Sequence, residues 1–269
     1  MLPETILPGA LKSEEEHRRD LCTAGRWLHQ HGYTPSTDGN VSLRLDPRRI
    51  LASPTAISKG RMQPDDLVVT DLQGHKISGY RNPSSELAMH LLIYRRRPDV
   101  FAICHAHPPV ATGYAAAGMP LNQALLSECV MALGAVPVAG YGTPGTPELS
   151  EAIEPLIQDH NAILLANHGV VTYGHDLLTA FYRMETTEQF ARVALVTVVL
   201  GKQVLLSGED VEKLLAARTR YGIQSAPGGI SRPVSAEDAE AAAIDRITLT
   251  RRELEALVEE AVKKDRIQR

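Results

Sequence analysis

Aromatic residues are scarce in this chain: one tryptophan, three phenylalanines and eight tyrosines, 4% of 269 residues. That argues against a platform for stacking nucleic-acid bases. An excess of positive charge is missing as well. Lys and Arg number 28 against 32 Asp and Glu, a net of −4, whereas a nucleic-acid binder needs a basic surface. Cysteine is limited to Cys22, Cys104 and Cys129, an odd number with no CxxC spacing. This excludes a disulfide framework and predicts buried free thiols in a reducing compartment. The longest apolar runs, such as Val193 to Leu200, fall short of the roughly 20 residues that span a bilayer. No basic region followed by an apolar stretch opens the chain, so no secretory signal is expected. These absences predict a soluble cytoplasmic protein with neither a nucleic-acid nor a membrane partner.

What is present is an ordinary globular composition, 43% hydrophobic and 22% charged, with ten histidines that ask for an explanation. Strand-like and helix-like patterns alternate. Ser13 and Glu16 read as a capping box opening a helix that closes before Gly32, with Leu21, Ala24, Trp27 and Leu28 facing the core. Short β-rich runs follow at Val41–Leu45, Ile50–Ser53 and Leu67–Asp71. A helix is expected from Ser84 to Arg97, then a strand from Val100 to Cys104 and a helix from Pro109 to Ala117. Val136–Ala139 and Ala162–Ala166 read as strands, and Glu148–Asp159 as a helix with a possible kink at Pro155. Helices over Asp176–Leu200 and Ser207–Tyr221 complete a three-layer α/β domain around one sheet. From Ser225 to Pro233 turn formers break the pattern, and Thr250 opens an amphipathic helix. Residues 1–222 are taken as one domain and 223–269 as an extension with a docking helix.

Three histidines lie in settings suited to a metal ion. His105 and His107 follow an apolar strand two residues apart, so an extended backbone points both imidazoles to one face. His168 follows another buried strand and offers a third nitrogen. Three protein ligands leave a position open, the catalytic pattern rather than the structural one. Taken singly, each histidine reads better as a hydrogen-bonded surface group or a turn residue; at two strand ends together, the metal reading leads. Ser84-Ser85-Glu86 opens a helix, where free N–H groups and hydroxyls suit an anion; the plain alternative is an N-cap with a dipole-complementing acid. Gly39-Asn40 and Thr55-Ala56 sit in turns whose backbone can meet a phosphate, or are simple loops. His90, one turn beyond Glu86, reads as a helix-face residue. Arg95-Arg96-Arg97 and Lys263-Lys264 read as solvated charge at helix ends.

In order along the chain, Gly39-Asn40-Val41-Ser42, Ser53-Pro54-Thr55, Pro83-Ser84-Ser85-Glu86, His105-Ala106-His107-Pro108-Pro109 and Asn167-His168-Gly169 resemble the class II aldolase/adducin family, and within it the L-fuculose-1-phosphate aldolase type. The similarity runs from about Ser13 to Ile223. The resemblance implies a mostly antiparallel central sheet and a homotetramer with active sites between subunits. It also implies a divalent ion, Zn2+ before Mn2+, Co2+ or Fe2+, held by His105, His107 and His168. It makes Glu86 the catalytic acid/base, touching the metal when substrate is absent. Gly39, Asn40, Thr55, Ala56, Ser84 and Ser85 match the segments that hold a substrate phosphate, and Tyr221 a catalytic tyrosine entering a neighbouring subunit's site. The implied reaction cleaves a small ketose 1-phosphate into dihydroxyacetone phosphate and an aldehyde through a metal-stabilised enediolate. Related outcomes are epimerisation of a pentulose phosphate or decarboxylation of a keto acid. The family's epimerase tends to carry Asp where Glu86 stands, which favours cleavage. A non-catalytic adducin-like interaction domain is a further alternative, but such domains have lost the ligand set retained here. Three departures concern substrate: Ala56 replaces a glycine, Leu126–Cys129 lacks an interface tyrosine, and Pro144 replaces a phenylalanine. Glu128 is left without an assigned role.

Overall fold

The computed structural model describes residues 12–223, 232–244 and 252. Its strands are β1 (Asn40–Arg44), β2 (Arg49–Ala52), β3 (Val68–Asp71), β4 (Lys76–Ser78), β5 (Ala102–Ala106), β6 (Val138–Ala139), β7 (Ala162–Leu165) and β8 (Gly169–Gly174). They form one eight-stranded sheet in the order β4-β3-β2-β1-β5-β8-β7-β6. Every pairing is antiparallel except β6 with β7. The helices are α1 (Glu14–Gln30), α2 (Leu87–Arg96), α3 (Pro109–Ala116), α4 (Ser127–Ala132), α5 (Pro147–Ile153), α6 (Leu177–Val199), α7 (Gly208–Ala217) and α8 (Ala236–Ile244). No helix among the described residues is long and apolar enough to cross a membrane.

The layers follow from the two-residue period of the strands. Ala102, Cys104 and Ala106 of β5, with Ala162 and Leu164 of β7, join one core with α1, α3 and α6. Ile103, Ile163 and Leu165 face the opposite way and pack with α2 and α5. The sheet is thus covered on both sides, as the α/β pattern requires. Cys22, Cys104 and Cys129 are buried free thiols, and burial pushes Cys104 and Cys129 up to about 12. Ser13 and Glu16 do form the expected capping box.

Several expected boundaries move. The strand read at Val100–Cys104 lies at Ala102–Ala106, so His105 stands within it. α2 starts at Leu87, with Glu86 in the N-cap position but making no side-chain cap. α5 ends at Ile153, and a 3-10 turn over Glu154–Leu156 accommodates Pro155. Beyond α7 the last residues expected to be helical, Arg218–Tyr221, form a 3-10 turn. Only Val138–Ala139 of the run from Val136 is strand, while Val136 bridges Leu121. β4, α4 and β8 were not expected. β8 escapes notice because it follows β7 after a three-residue turn in which Asn167 takes a left-handed φ of 56°. In the extension, Val234 N–H donates to Asn122 O at 2.6 Å and Ala124 N–H to Val234 O at 2.9 Å, so this part lies on its own chain. The helix expected from Thr250 falls outside the described residues.

Candidate active site

Strand alternation sets His105 on the same side of β5 as Ile103, toward α2. Its ring is fully buried, and Nδ1 is 2.9 Å from the Val170 carbonyl of β8. That carbonyl can only accept, so Nδ1 carries the proton and the Nε2 lone pair points into the site. His107 stands one residue past the end of β5, its N–H donating to Tyr33 O at 2.8 Å. Its Nε2 is 3.2 Å from His105 Nε2, and its Nδ1 faces Asp38 Oδ2 at 3.5 Å. His168 comes from the turn between β7 and β8. Its neighbour Gly169 must lack a side chain, because a Cβ there would lie 2.5 Å from His107 Cδ2. The ligand atoms of His105, His107 and His168 all fall within 4.8 Å of one another.

Glu86 completes the cluster. Oε2 lies 3.3 Å from His105 Nε2 and accepts a hydrogen bond from Asn40 Nδ2 at 2.8 Å. Oε1 is 3.2 Å from His168 Nε2 yet is buried without a hydrogen bond. Burial opposes its ionisation, but the His105 and His168 rings when protonated, with the Asn40 amide, outweigh that, holding the carboxyl well below the usual range. Convergent imidazole lone pairs beside a buried oxygen without a donor are what a bound cation requires. The donor set therefore fits a divalent ion.

Ser84 Oγ accepts the Glu86 N–H at 3.3 Å in the turn before α2, and Glu86 makes no side-chain cap of its own, so its carboxylate is turned into the site. Glu86, His107 and His168 line a cavity of about 320 Å³. Gly39 and Asn40, Thr55 and Ala56, and Ser84 and Ser85 line the same cavity. Gly39 is required twice over: its φ is +68°, and a Cβ would meet His105 O at 2.7 Å. Ala56 holds a φ of 56°, a left-handed backbone that the expected glycine adopts without strain. Pro144 also lines the cavity. Tyr221 and Glu128 do not: Tyr221 is 69% exposed in the turn after α7, and Glu128 is exposed on α4.

Asp38, at the head of the Gly39-Asn40 turn, also lines the cavity; sequence reasoning passed over Lys59, which lines it too, and Glu188. A lone lysine in a turn, or a lone glutamate in a long helix, carries no signal of its own. Glu188 of α6 is fully buried and accepts the first free N–H groups of α3, from Val110 at 3.1 Å and Ala111 at 2.9 Å. Pro108 and Pro109 have no N–H to give, so this carboxylate caps the helix that follows His107. Glu188→Ala leaves buried donors unpaired and should cost about 3 kcal/mol of stability. Urea unfolding checks this, and a loss below about 1 kcal/mol would remove the capping role.

Burial, with repulsion from His105 when that ring is protonated, pushes His107 and His168 down to about 4. Burial likewise takes His90 down to about 3; its Nδ1 is 2.7 Å from Ser42 Oγ, so it is a core residue rather than an exposed helix-face one. Against an ordinary value of 6.5, the unfolded chain binds more protons as pH falls below that point. Stability therefore declines with acidification between pH 6.5 and about 4, and further down to about 3 for His90. A series of melting temperatures of the metal-free protein over this window should show the decline. A flat profile would contradict neutral imidazoles in the folded state.

The sheet and its paired helical layers define a fold shared with known enzymes. The family model described as Class II Aldolase and Adducin N-terminal domain matches residues 19–195. The chain belongs to this family. It is 34% identical to 5-deoxy-D-ribulose 1-phosphate aldolase of Bacillus thuringiensis serovar kurstaki over 212 residues, 78% of this chain and 99% of that one. It is 35% identical to 3-oxo-tetronate 4-phosphate decarboxylase of Pectobacterium atrosepticum, over 76% of this chain and 95% of that one. Among solved structures it matches an L-fuculose 1-phosphate aldolase with a TM-score of 0.72 and 31% identity, covering 80% of this chain and all of the other.

Proposed function

We propose that this protein is a metal-dependent lyase that cleaves a small ketose 1-phosphate, similar to L-fuculose 1-phosphate, into dihydroxyacetone phosphate and an aldehyde. The observation that carries this reading is one cavity. It sets Glu86 and the histidine cluster beside two serines and two turns suited to a phosphate. Its volume of about 320 Å³ suits a small ligand. His105, His107 and His168 would hold the ion, zinc before manganese, cobalt or iron, with Glu86 reaching it when substrate is absent. A divalent ion there supplies Lewis-acid polarisation of the substrate's oxygens.

The chain's own groups do the rest. Glu86 takes the proton from the carbon beside the carbonyl in the condensation direction and returns it in cleavage. Asn40 Nδ2 steadies that carboxylate from one side. Ser84, Ser85 and the turns at Gly39-Asn40 and Thr55-Ala56 hold the phosphate, which orients the reacting carbons. The 1–222 segment is read as the catalytic body of a cytoplasmic homotetramer, with 223–269 as its extension. Leu195, Val196, Val198 and Val199 are exposed on α6, an apolar face that supports association. In such an assembly Tyr221 would act in a neighbouring subunit's site.

Decarboxylation of a phosphorylated keto acid is the second reading, favoured by the 35% identical relative of that name. A panel of ketose 1-phosphates and 3-oxo acid phosphates, assayed with and without added metal, separates the two. Release of dihydroxyacetone phosphate supports cleavage, release of carbon dioxide supports the second reading, and no turnover of any member rejects both.

A further inference from the structure

Lys59 lies in the loop beyond β2, and its side chain is only 1% exposed. Lysine is seldom buried to this degree without a carboxylate partner. Here Nζ donates instead to two backbone carbonyls, Thr37 O at 2.9 Å and Ile57 O at 2.6 Å. These carbonyls adjoin the two turns, Asp38-Gly39-Asn40 and Thr55-Ala56, that line the cavity. An ammonium has three N–H donors, and the third finds no acceptor among the described residues. The backbone at this point is fixed from behind. A Cβ on Gly25 of α1 would come within 2.8 Å of Lys59 O, so helix and loop are in close contact.

Charge gives the position its meaning. Lys59 is the only lysine or arginine among the described residues lining the cavity, which also presents Asp38 and Glu86. A phosphate entering there meets two carboxylates. Opposite charges a few ångströms apart at a protein's edge attract, and like charges repel as strongly. Hydroxyls and turn amides carry no full charge to set against two carboxylates; the buried ammonium between the turns supplies one.

We infer that Lys59 is the cationic anchor for the substrate's phosphate, making this subsite selective for a phosphate dianion over an uncharged group. This rests on reading the cavity as a sugar-phosphate site. Burial pulls the Lys59 ammonium down to about 8, with Asp38 and Glu86 pulling the other way, so it stays mostly charged at neutral pH. A dianion beside it would strengthen that charge.

The test titrates inorganic phosphate into the metal-loaded full-length protein by calorimetry, comparing wild type with Lys59→Met. The methionine keeps the stem's volume and removes the charge. Lys59→Met is expected to weaken phosphate binding about tenfold or more, equivalent to about 1.4 kcal/mol. With a turned-over sugar phosphate it should raise KM more than it lowers kcat. Equal phosphate affinity in the two proteins overturns the role of Lys59 and leaves the reading of the cavity intact. Absence of phosphate binding by wild type, together with no turnover of any sugar phosphate, overturns both. Should Lys59→Met fail to fold, the wild type still decides. With isotope-labelled lysine, the Lys59 ammonium resonance must shift on saturation with phosphate, and an unmoved signal rejects the anchor.

Discussion

Glu86→Gln should lower turnover by about a hundredfold to ten-thousandfold, the range a positioned acid/base contributes, or about 3–5 kcal/mol of barrier. Glutamine has nearly the shape of glutamate and keeps an oxygen for Asn40 Nδ2, which now donates at 2.8 Å. What it loses is the capacity to take and return a proton. Metal content should therefore stay near that of the wild type while kcat falls. Steady-state kinetics on the preferred phosphorylated ketose, paired with metal analysis of the same sample, provide the check. A variant retaining more than a tenth of wild-type kcat would remove Glu86 from proton transfer. Loss of the metal together with activity would reassign it to ligation.

The second large effect is expected from His107→Ala. His107 is partly exposed, so its removal disturbs the core less than removal of the fully buried His105. The variant should fold, yet lose metal affinity by more than the roughly 10–100-fold that an outer partner's removal costs. Elemental analysis of dialysed protein should find about one ion per subunit in wild type and far less in the variant. The buried thiols complicate this little. Burial lifts Cys104 and Cys129 to about 12 and Cys22 to about 11, so none offers a ready thiolate to a soft ion. A variant with undiminished metal content would dissolve the three-histidine centre.

Legibility along the chain tracked how local each signal was. The capping box at Ser13 and Glu16 is complete within four residues and forms as read. The pairing of His105 with His107 needed only the strand period, and their rings lie with centroids 5.0 Å apart. The start of α2 was misplaced because Ser84 carries every mark of an N-cap. Its hydroxyl does accept a turn N–H, but from Glu86, and the helix begins one residue later, at Leu87. β8 was missed because Asn-His-Gly signals a turn without saying how soon the next strand begins. Lys59 and Glu188 were invisible for another reason. Lys59 joins the carbonyl of neighbouring Ile57 to that of Thr37, 22 residues back, and Glu188 acts on N–H groups more than seventy residues away; no spacing rule reaches that far.

From the sequence alone came the alternation of strands and helices, the buried thiols, the lack of excess positive charge and the order of motifs that matches the family. All of these depend on neighbours within a few residues, where backbone period and side-chain chemistry act directly. The tertiary structure alone decided which motifs meet. It brought Gly39, Thr55 and Ser84 to one cavity with Glu86, because the start of β1, the end of β2 and the entry to α2 meet at the end of the sheet where β5 carries His105. It also decided that a lysine absent from every motif lies buried between the two turns. The scarcity of cationic excess seen first in the composition is consistent with this. A single ammonium, desolvated and held by two carbonyls, acts on an anion more strongly than several exposed ones, because water no longer screens it.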